Sequence, residues 1–141
     1  MTTGETDLGR LIDTMQPRLW PEPLVFATVP HGEGLPKGIE PVMAFREEEG
    51  TTLVLSEDEA RTAGLEAGYR CRMITLAVHS SLEAVGFLAA VTTALAAAGI
   101  SVNPVSAYHH DHLFVPANRA GEAMDVLWDL SSSRPRQDDR A

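Results

Sequence analysis

The sequence predicts an α+β fold in which antiparallel strands carry helices on one face. One observation is the order of elements from Arg70 onward, which reads strand, helix, strand, strand, helix. The other is a faint internal repeat, because Thr52–Ser56 followed by a helix resembles His112–Pro116 followed by a helix. A polar turn precedes each copy. Two tandem halves of the ferredoxin-like β-α-β-β-α-β kind fit this pattern.

The two halves are expected to share strands or sheets, because each lacks one edge strand of the pattern. The first half reads α-β-β-β-α and the second reads β-α-β-β-α. We divide the chain into a flexible N-terminus (1–6), an N-terminal half (7–68), a C-terminal half (69–131) and a tail (132–141). The tail is rich in serine and charged residues, so it is predicted to be disordered.

The N-terminal half opens with a short helix that Asp7 caps and that ends before Pro17. Four apolar residues recur at helical spacing in it: Leu8, Leu11, Ile12 and Met15. A strand over Leu24–Val29 follows. Residues 30–41 contain three glycines and three prolines, which predicts a loop. These glycines match neither the phosphate-loop nor the dinucleotide-binding motif.

A hairpin and a short helix complete this half. Val42–Arg46 and Thr51–Leu55 are predicted strands joined by an acidic turn that contains glycine. Ser56 and Glu59 have the S-x-x-E spacing of a capping box, which predicts a helix start, and Gly64 closes that helix.

The C-terminal half begins with a strand over Arg70–Val78. Ser80 and Glu83 repeat the capping-box spacing, and Gly99 occupies the position where an Ala- and Leu-rich helix should stop. Strand-forming residues follow from Ile100 onward. A last helix is predicted from its cap and its one-sided apolar residues: Asn118, Ala120, Ala123, Met124, Leu127 and Leu130.

Composition limits the class of protein. The formal net charge of −9 argues against nucleic acids and anionic membranes as partners. The single cysteine, Cys71, excludes an internal disulfide and predicts a reducing cytoplasmic location. No signal peptide is visible in the first residues. The uncharged run Ala84–Val102 has the length of a membrane span, but Gly99 interrupts it and much of it is alanine, so a buried helix is favoured.

The residues around this helix resemble a known family. Glu83-x-x-Gly86, an apolar helix and Gly99–Val102 are similar to the ACT domain pattern D-x-P-G, helix, G-I-N-[IV]. The longer segments V-H-S-S-L-E-A-V-G and Y-H-H-D-H-L-F-V-P resemble small bacterial proteins made of two ACT-like halves. Glu83 and Val85 depart from the ACT pattern. The resemblance implies a regulatory module that binds a small-molecule effector, typically an amino acid, and has no catalytic activity or cofactor.

An amino-acid site is predicted at the helix start, where free N–H groups and the helix dipole favour a carboxylate. Hydroxyl, amide, imidazole and carboxylate side chains nearby would bind the rest of the ligand. The candidates are His79, Ser80, Ser81, Glu83, Gly86, Asn103, His110 and Asp111. Structural roles are the alternative for five of them: helix capping for Ser80 and Glu83, close packing for Gly86, a strand bend before Pro104 for Asn103, and a hydrogen bond to its own backbone in a tight turn for Asp111.

Two other functions stay open. A structural or protein-interaction module would keep the ACT-like fold without a ligand. The third and least favoured function is a metal site at His109–His112, which contains residue types that bind metals. Neighbouring side chains on a strand point to opposite faces, and the sequence has no second cluster of metal-ligating residues. A single histidine there is also compatible with pH sensing. No catalytic triad or nucleophile-elbow motif is present, so we predict that the protein is not an enzyme.

A homodimer is predicted from the central helix. No charged residue occurs between Glu83 and Asp111, so the helix is uncharged on every face. Such a helix needs cover on more than one side, from the N-terminal half or from a second chain. ACT-like modules generally pair through helices or sheet edges, and symmetric pairing is common among oligomers.

Overall fold

The computed structural model describes residues 4–133 of the chain, which divides into two compact units. The central unit is Pro21–Arg72, and the terminal unit combines the chain before Pro21 with the chain after Arg72. The expected boundary between residues 68 and 69 therefore falls within the central unit. Of the ends expected to be disordered, residues 1–3 and 134–141 lie outside the described residues.

Within the described range, helices and strands follow the predicted α+β character. In chain order the elements are α1 (Leu8–Thr14), β1 (Gln16–Leu19), β2 (Leu24–Val29), β3 (Met43–Arg46), β4 (Thr51–Ser56), α2 (Glu57–Thr62), β5 (Glu66–Ala77), α3 (Phe87–Ala97), β6 (Asn103–Ser106), β7 (Asp111–Pro116) and α4 (Ala120–Leu130). A 3₁₀ turn over Ala117–Arg119 precedes α4, so Asn118 lies inside that turn and is not the predicted helix cap.

The central unit has the strand order β3-β4-β2-β5, and each of these pairs is antiparallel. This is the ferredoxin-like order, with β2 and β4 in the middle and β5 as the last strand. Helix α2 covers one face. A loop over residues 30–42 occupies the chain position at which the fold usually has its other helix. The buried residues are mainly aliphatic: Val25, Ala27, Val29, Leu53, Leu55 and Ala60.

The terminal unit has the equivalent order β1-β5-β7-β6. Its first strand is the second half of β5, where Ile74–Ala77 pair antiparallel with Gln16–Leu19 of β1. The first half of β5 pairs with β2 of the central unit. The prediction that the halves share a strand is thus confirmed, and β1 supplies the edge strand that seemed to be missing.

The sequence did not indicate β1, because it is short and contains Pro17. Proline cannot donate a hydrogen bond, but an edge strand tolerates it since one side of the strand is unpaired. Helices α1, α3 and α4 pack over the core of this unit. Its fully buried residues come from α1 and its C-cap, β5, α3, β7 and α4: Leu11, Met15, Ile74, Leu76, Val91, Leu95, Leu113, Val115, Ala123 and Leu127.

Each predicted N-cap is compared with the N-terminus of the corresponding helix in the structure. Asp7 caps α1 by accepting a hydrogen bond from the Arg10 N–H at 2.9 Å. Ser56 caps α2 by accepting from the Glu59 N–H at 3.1 Å, as its capping box predicts. The second predicted box is wrong, because α3 begins at Phe87 and Gly86 is its N-cap.

Gly99 ends α3 as predicted. Its φ of 73° is left-handed, its N–H donates to the Ala96 carbonyl, and the Ile100 N–H donates to the Leu95 carbonyl. These two bonds form a Schellman motif, in which the residue after glycine is usually apolar. Ile100 is indeed buried in the core of the terminal unit.

Candidate functional site

A small cavity of about 120 Å³ lies at one edge of the terminal unit. Three segments enclose it: the loop between β5 and α3, the first turn of α3, and the turn between β6 and β7. The lining residues are Ser80, Ser81, Leu82, Ala84, Gly86, Phe87, Leu88, Ala89, Ser106, Ala107 and Asp111.

Asp111 supplies the charged group of the cavity. It is the first residue of β7 and lies opposite Ser106, the last residue of β6. Its side chain is largely removed from solvent, with 8% exposure. The Ser106 hydroxyl donates to Oδ1 at 2.6 Å, and the Ser80 hydroxyl donates to Oδ2 at 3.3 Å. A carboxylate accepts about four hydrogen bonds, so these two donors leave acceptor capacity for a ligand.

The start of α3 forms the opposite wall. Gly86 has a left-handed φ of 92°, and its carbonyl accepts the first helical bond, from the Ala90 N–H at 2.9 Å. The N–H groups of Phe87, Leu88 and Ala89 precede that bond and have no partner inside the helix. They lie at the positive end of the helix dipole. The Asp111 carboxylate and the N–H groups at the start of α3 therefore belong to residues that line the same cavity.

The loop before α3 is held by backbone bonds to the N-terminal segment. The Glu5 N–H donates to the His79 carbonyl at 2.7 Å, and the Ser81 N–H donates to the Glu5 carbonyl at 2.9 Å. A Cβ on Gly4 would lie 2.4 Å from the Ser80 carbonyl carbon, so glycine is required there. Residues 4–6, expected to be flexible, thus form part of the site's support.

Half of the predicted site residues line the cavity: Ser80, Ser81, Gly86 and Asp111. Ser81 also stabilises the loop, because its hydroxyl accepts from the Glu83 N–H at 3.0 Å. The Glu83 and His79 side chains are exposed outside the cavity. Asn103 begins β6, about 10 Å along the strand from Ser106.

His110 lies near Val78 and does not line the cavity. Its Nδ1 is 3.3 Å from the Val78 carbonyl oxygen, and its ring is 6.4 Å from that of His112. His112 Nδ1 is 2.9 Å from the Thr75 hydroxyl. Burial lowers the pKa of His112, the charge of His110 lowers it further, and the charge of Asp111 opposes both effects. Among the described residues, no group of three or more histidine, cysteine, aspartate or glutamate side chains is arranged to hold a metal ion.

Ser106 is the polar lining residue that sequence reasoning missed. Ser106 and Asp111 flank the four-residue turn of the β6–β7 hairpin, and the hairpin register places them opposite each other. The turn between two strand patterns was visible in the sequence, so this pairing was open to prediction. The contribution of Gly4 and Glu5 has no comparable signal.

Cys71 is a buried residue of β5. Burial raises its pKa to about 11, and its thiol lies 3.5 Å from the Leu24 carbonyl oxygen. The neighbouring arginines, Arg70 and Arg72, do not offset the effect of burial on this pKa.

Similar solved structures share the fold. A Vibrio cholerae protein of unknown function, described as a possible transport protein, is 43% identical over 85% of this chain and 92% of its own, with a TM-score of 0.78. An Agrobacterium tumefaciens protein is 19% identical over 84% and 90%, with a TM-score of 0.71. The ligand-free regulatory subunit of aspartate kinase from Thermus thermophilus is 15% identical over 84% and 97%, with a TM-score of 0.64.

No curated protein matches the chain significantly. Within residues 4–133, none of the helices has the length and apolar character needed to cross a membrane. Two family models, both described as ACT domain, match residues 3–72 and 67–129, and they overlap within the shared strand β5. ACT domains are typically regulatory modules that bind small-molecule effectors and often form dimers. The chain thus belongs to the ACT domain family and carries two such domains in tandem.

Proposed function

We propose that this protein is a regulatory module that binds an amino acid, or a similar small zwitterion, in the cavity of the terminal unit. The observation that carries the proposal is the pair of opposite electrostatic environments within one small cavity. Asp111 would bind the ammonium group, while the first turn of α3 would bind the carboxylate through its N–H groups and the helix dipole.

The size of the site and its single carboxylate favour a small ligand with a cationic group. About 120 Å³ is well below the several hundred Å³ typical of drug-sized ligands. A zwitterion satisfies both ends of the cavity without adding net charge. An anion would meet the Asp111 carboxylate, whose removal from solvent weakens screening and strengthens repulsion.

The lining residues favour binding over catalysis. The Ser80 and Ser106 hydroxyls both donate to Asp111, and no histidine lines the cavity to activate either as a nucleophile. The alternative function, a structural module without a ligand, predicts the same fold but no specific response to amino acids.

A thermal-shift screen with the twenty common amino acids tests the proposal. At least one amino acid should raise the melting temperature, since saturation to about 100 times Kd adds roughly 2.7 kcal/mol of stability. Asp111→Asn should abolish the shift. The control variant Asp58→Asn removes one negative charge from the exposed face of α2. This variant should still show the thermal shift. If no amino acid stabilises the protein, the structural alternative is favoured. If Asp111→Asn responds like the wild type, the amino acid does not bind at Asp111 and the proposed site is wrong.

We further propose that the protein forms a homodimer through α3 and the preceding loop. Leu82 and Val85 in that loop are 66% and 83% exposed. Four small residues form the exposed side of α3: Ala89, Thr93, Ala96 and Ala97. Small side chains allow two helices to approach closely, and an uncharged surface loses little hydration when it is covered.

Light scattering on a sizing column tests the dimer. The wild type should elute with twice the mass of one chain, and Val85→Glu should convert it to a monomer by placing a charge in the interface. Leu35→Glu, on an exposed leucine of the central unit, should remain dimeric. A wild-type monomer at tens of micromolar would contradict the proposal.

A further inference from the structure

The central unit contains a cavity of about 260 Å³ beside the loop that replaces a helix. It lies between residues 29–35 and the β3–β4 hairpin. Most of its lining is apolar or glycine, with one cationic and one hydroxyl side chain. The lining residues are Val29, Pro30, Gly32, Gly34, Leu35, Ala44, Arg46 and Thr51.

This cavity occupies the position in the central unit that the Asp111 cavity occupies in the terminal unit. In each unit, the cavity lies beside the C-terminal end of the first strand of the ferredoxin-like repeat and beside the turn of the following hairpin. Arg46 pairs with Thr51 across the β3–β4 turn as Ser106 pairs with Asp111 across the β6–β7 turn. The turns also match, because the Glu47 N–H donates to the Gly50 carbonyl as the Ala107 N–H donates to the His110 carbonyl.

The charge at these equivalent positions is reversed. Where the terminal unit has serine and aspartate, the central unit has Arg46 and Thr51. Across the described part of the chain, the Arg46 side chain forms no ion pair and no hydrogen bond. Its guanidinium can therefore bind a carboxylate through two parallel hydrogen bonds, the geometry for which arginine is well suited.

Among the described residues, no carboxylate of the acidic turn Glu47–Glu49 forms an ion pair with Arg46. The Glu47 carboxylate accepts a hydrogen bond from the Thr52 hydroxyl. Thr52 points to the opposite face of β4 from Thr51, because side chains alternate along a strand. Glu49 lines a neighbouring cavity in which Arg46 takes no part.

We propose that the central-unit cavity is a second ligand site, which binds a small carboxylic acid with an apolar body. The carboxylate would bind Arg46 and Thr51, and the apolar body would contact Val29, Leu35 and Ala44. The proposal does not depend on ligand binding at Asp111.

Two-dimensional amide NMR with 4-methylpentanoate as the probe tests this site. We expect saturable shifts confined to the loop after β2 and to the ends of β3 and β4. Arg46→Gln should weaken binding about tenfold or more, because one charge-assisted interaction is lost. Ala44→Leu, which fills the cavity without changing charge, should also weaken it.

Two controls separate this site from other binding. The matching alcohol, 4-methylpentan-1-ol, has the same apolar body without the carboxylate and should bind at least tenfold more weakly. Asp111→Asn should bind the acid as the wild type does. Absence of saturable shifts in the wild type, equal binding by Arg46→Gln, or shifts confined to the terminal unit would overturn the proposal.

Discussion

Asp111 is the buried carboxylate on which the proposed site depends. Removing a carboxylate from water costs several kcal/mol unless hydrogen bonds or an opposite charge compensate. Here two serine hydroxyls compensate in part, at 2.6 and 3.3 Å. The ammonium group of a ligand would complete the compensation, so binding and the stability of the loop should be coupled.

His112, the next residue in β7, predicts a pH dependence of stability. Its pKa is lowered in the folded state, chiefly by burial. The unfolded chain therefore binds a proton more readily, with a pKa of about 6.5. The stability contribution is fully present above that value and is lost as the pH falls through the lower folded pKa.

Chemical denaturation at several pH values checks this contribution. His112→Gln keeps an amide near the Thr75 hydroxyl but cannot titrate. Its free energy of unfolding should fall less than that of the wild type between about pH 7 and pH 5. Parallel curves for the two proteins over that range would show that His112 does not contribute.

At the scale of elements, helix α3 shows which sequence signals were reliable. Gly99 was predicted to stop the helix, and the Schellman bonds confirm it. Ser80 and Glu83 matched a capping box, yet the helix starts at Phe87. The pattern failed because Ser80 donates to Asp111, a partner distant in sequence, and Gly86 makes the turn into the helix instead. Local spacing cannot reveal such a competing long-range partner.

Two alanine substitutions in the terminal unit should have opposite effects on stability. Gly99→Ala forces a side chain into a left-handed conformation with a φ of 73° and should cost about 1 kcal/mol. Gly121→Ala lies inside α4, where no atom lies within 4 Å of a new Cβ, and should gain about 0.5–1 kcal/mol. Urea denaturation measures both. A neutral or stabilising Gly99→Ala would contradict the assigned helix end.

At the scale of the whole molecule, the tandem architecture was predictable because each half shows its own strand and helix periodicity. The shared strand was also anticipated, since each half lacked one edge. Its partner β1 was not anticipated, because a short strand that contains Pro17 and two polar residues has no strand-like sequence pattern. The division into units likewise depends on β1 pairing with residues far along the chain.

Part of the candidate site was predictable from the sequence. Residues next to the helix start, such as Ser80 and Gly86, were identified because the helix terminus itself suggests anion binding. Asn103 and His110 were expected there too, but strand length and side-chain direction place them outside the cavity. Ser106 lies opposite Asp111 because of the register of the β6–β7 hairpin. The alternating sequence pattern indicated the two strands but did not fix their register.

A crystal structure with the most stabilising amino acid tests the central claim most directly. We expect the ligand's ammonium nitrogen to lie within hydrogen-bond distance of the Asp111 carboxylate. The ligand's carboxylate should meet the N–H groups at the start of α3, with the Ser106 hydroxyl still bonded to Asp111. An amino acid bound elsewhere on the chain, or bound with its carboxylate toward Asp111, would show that the proposed binding mode is wrong.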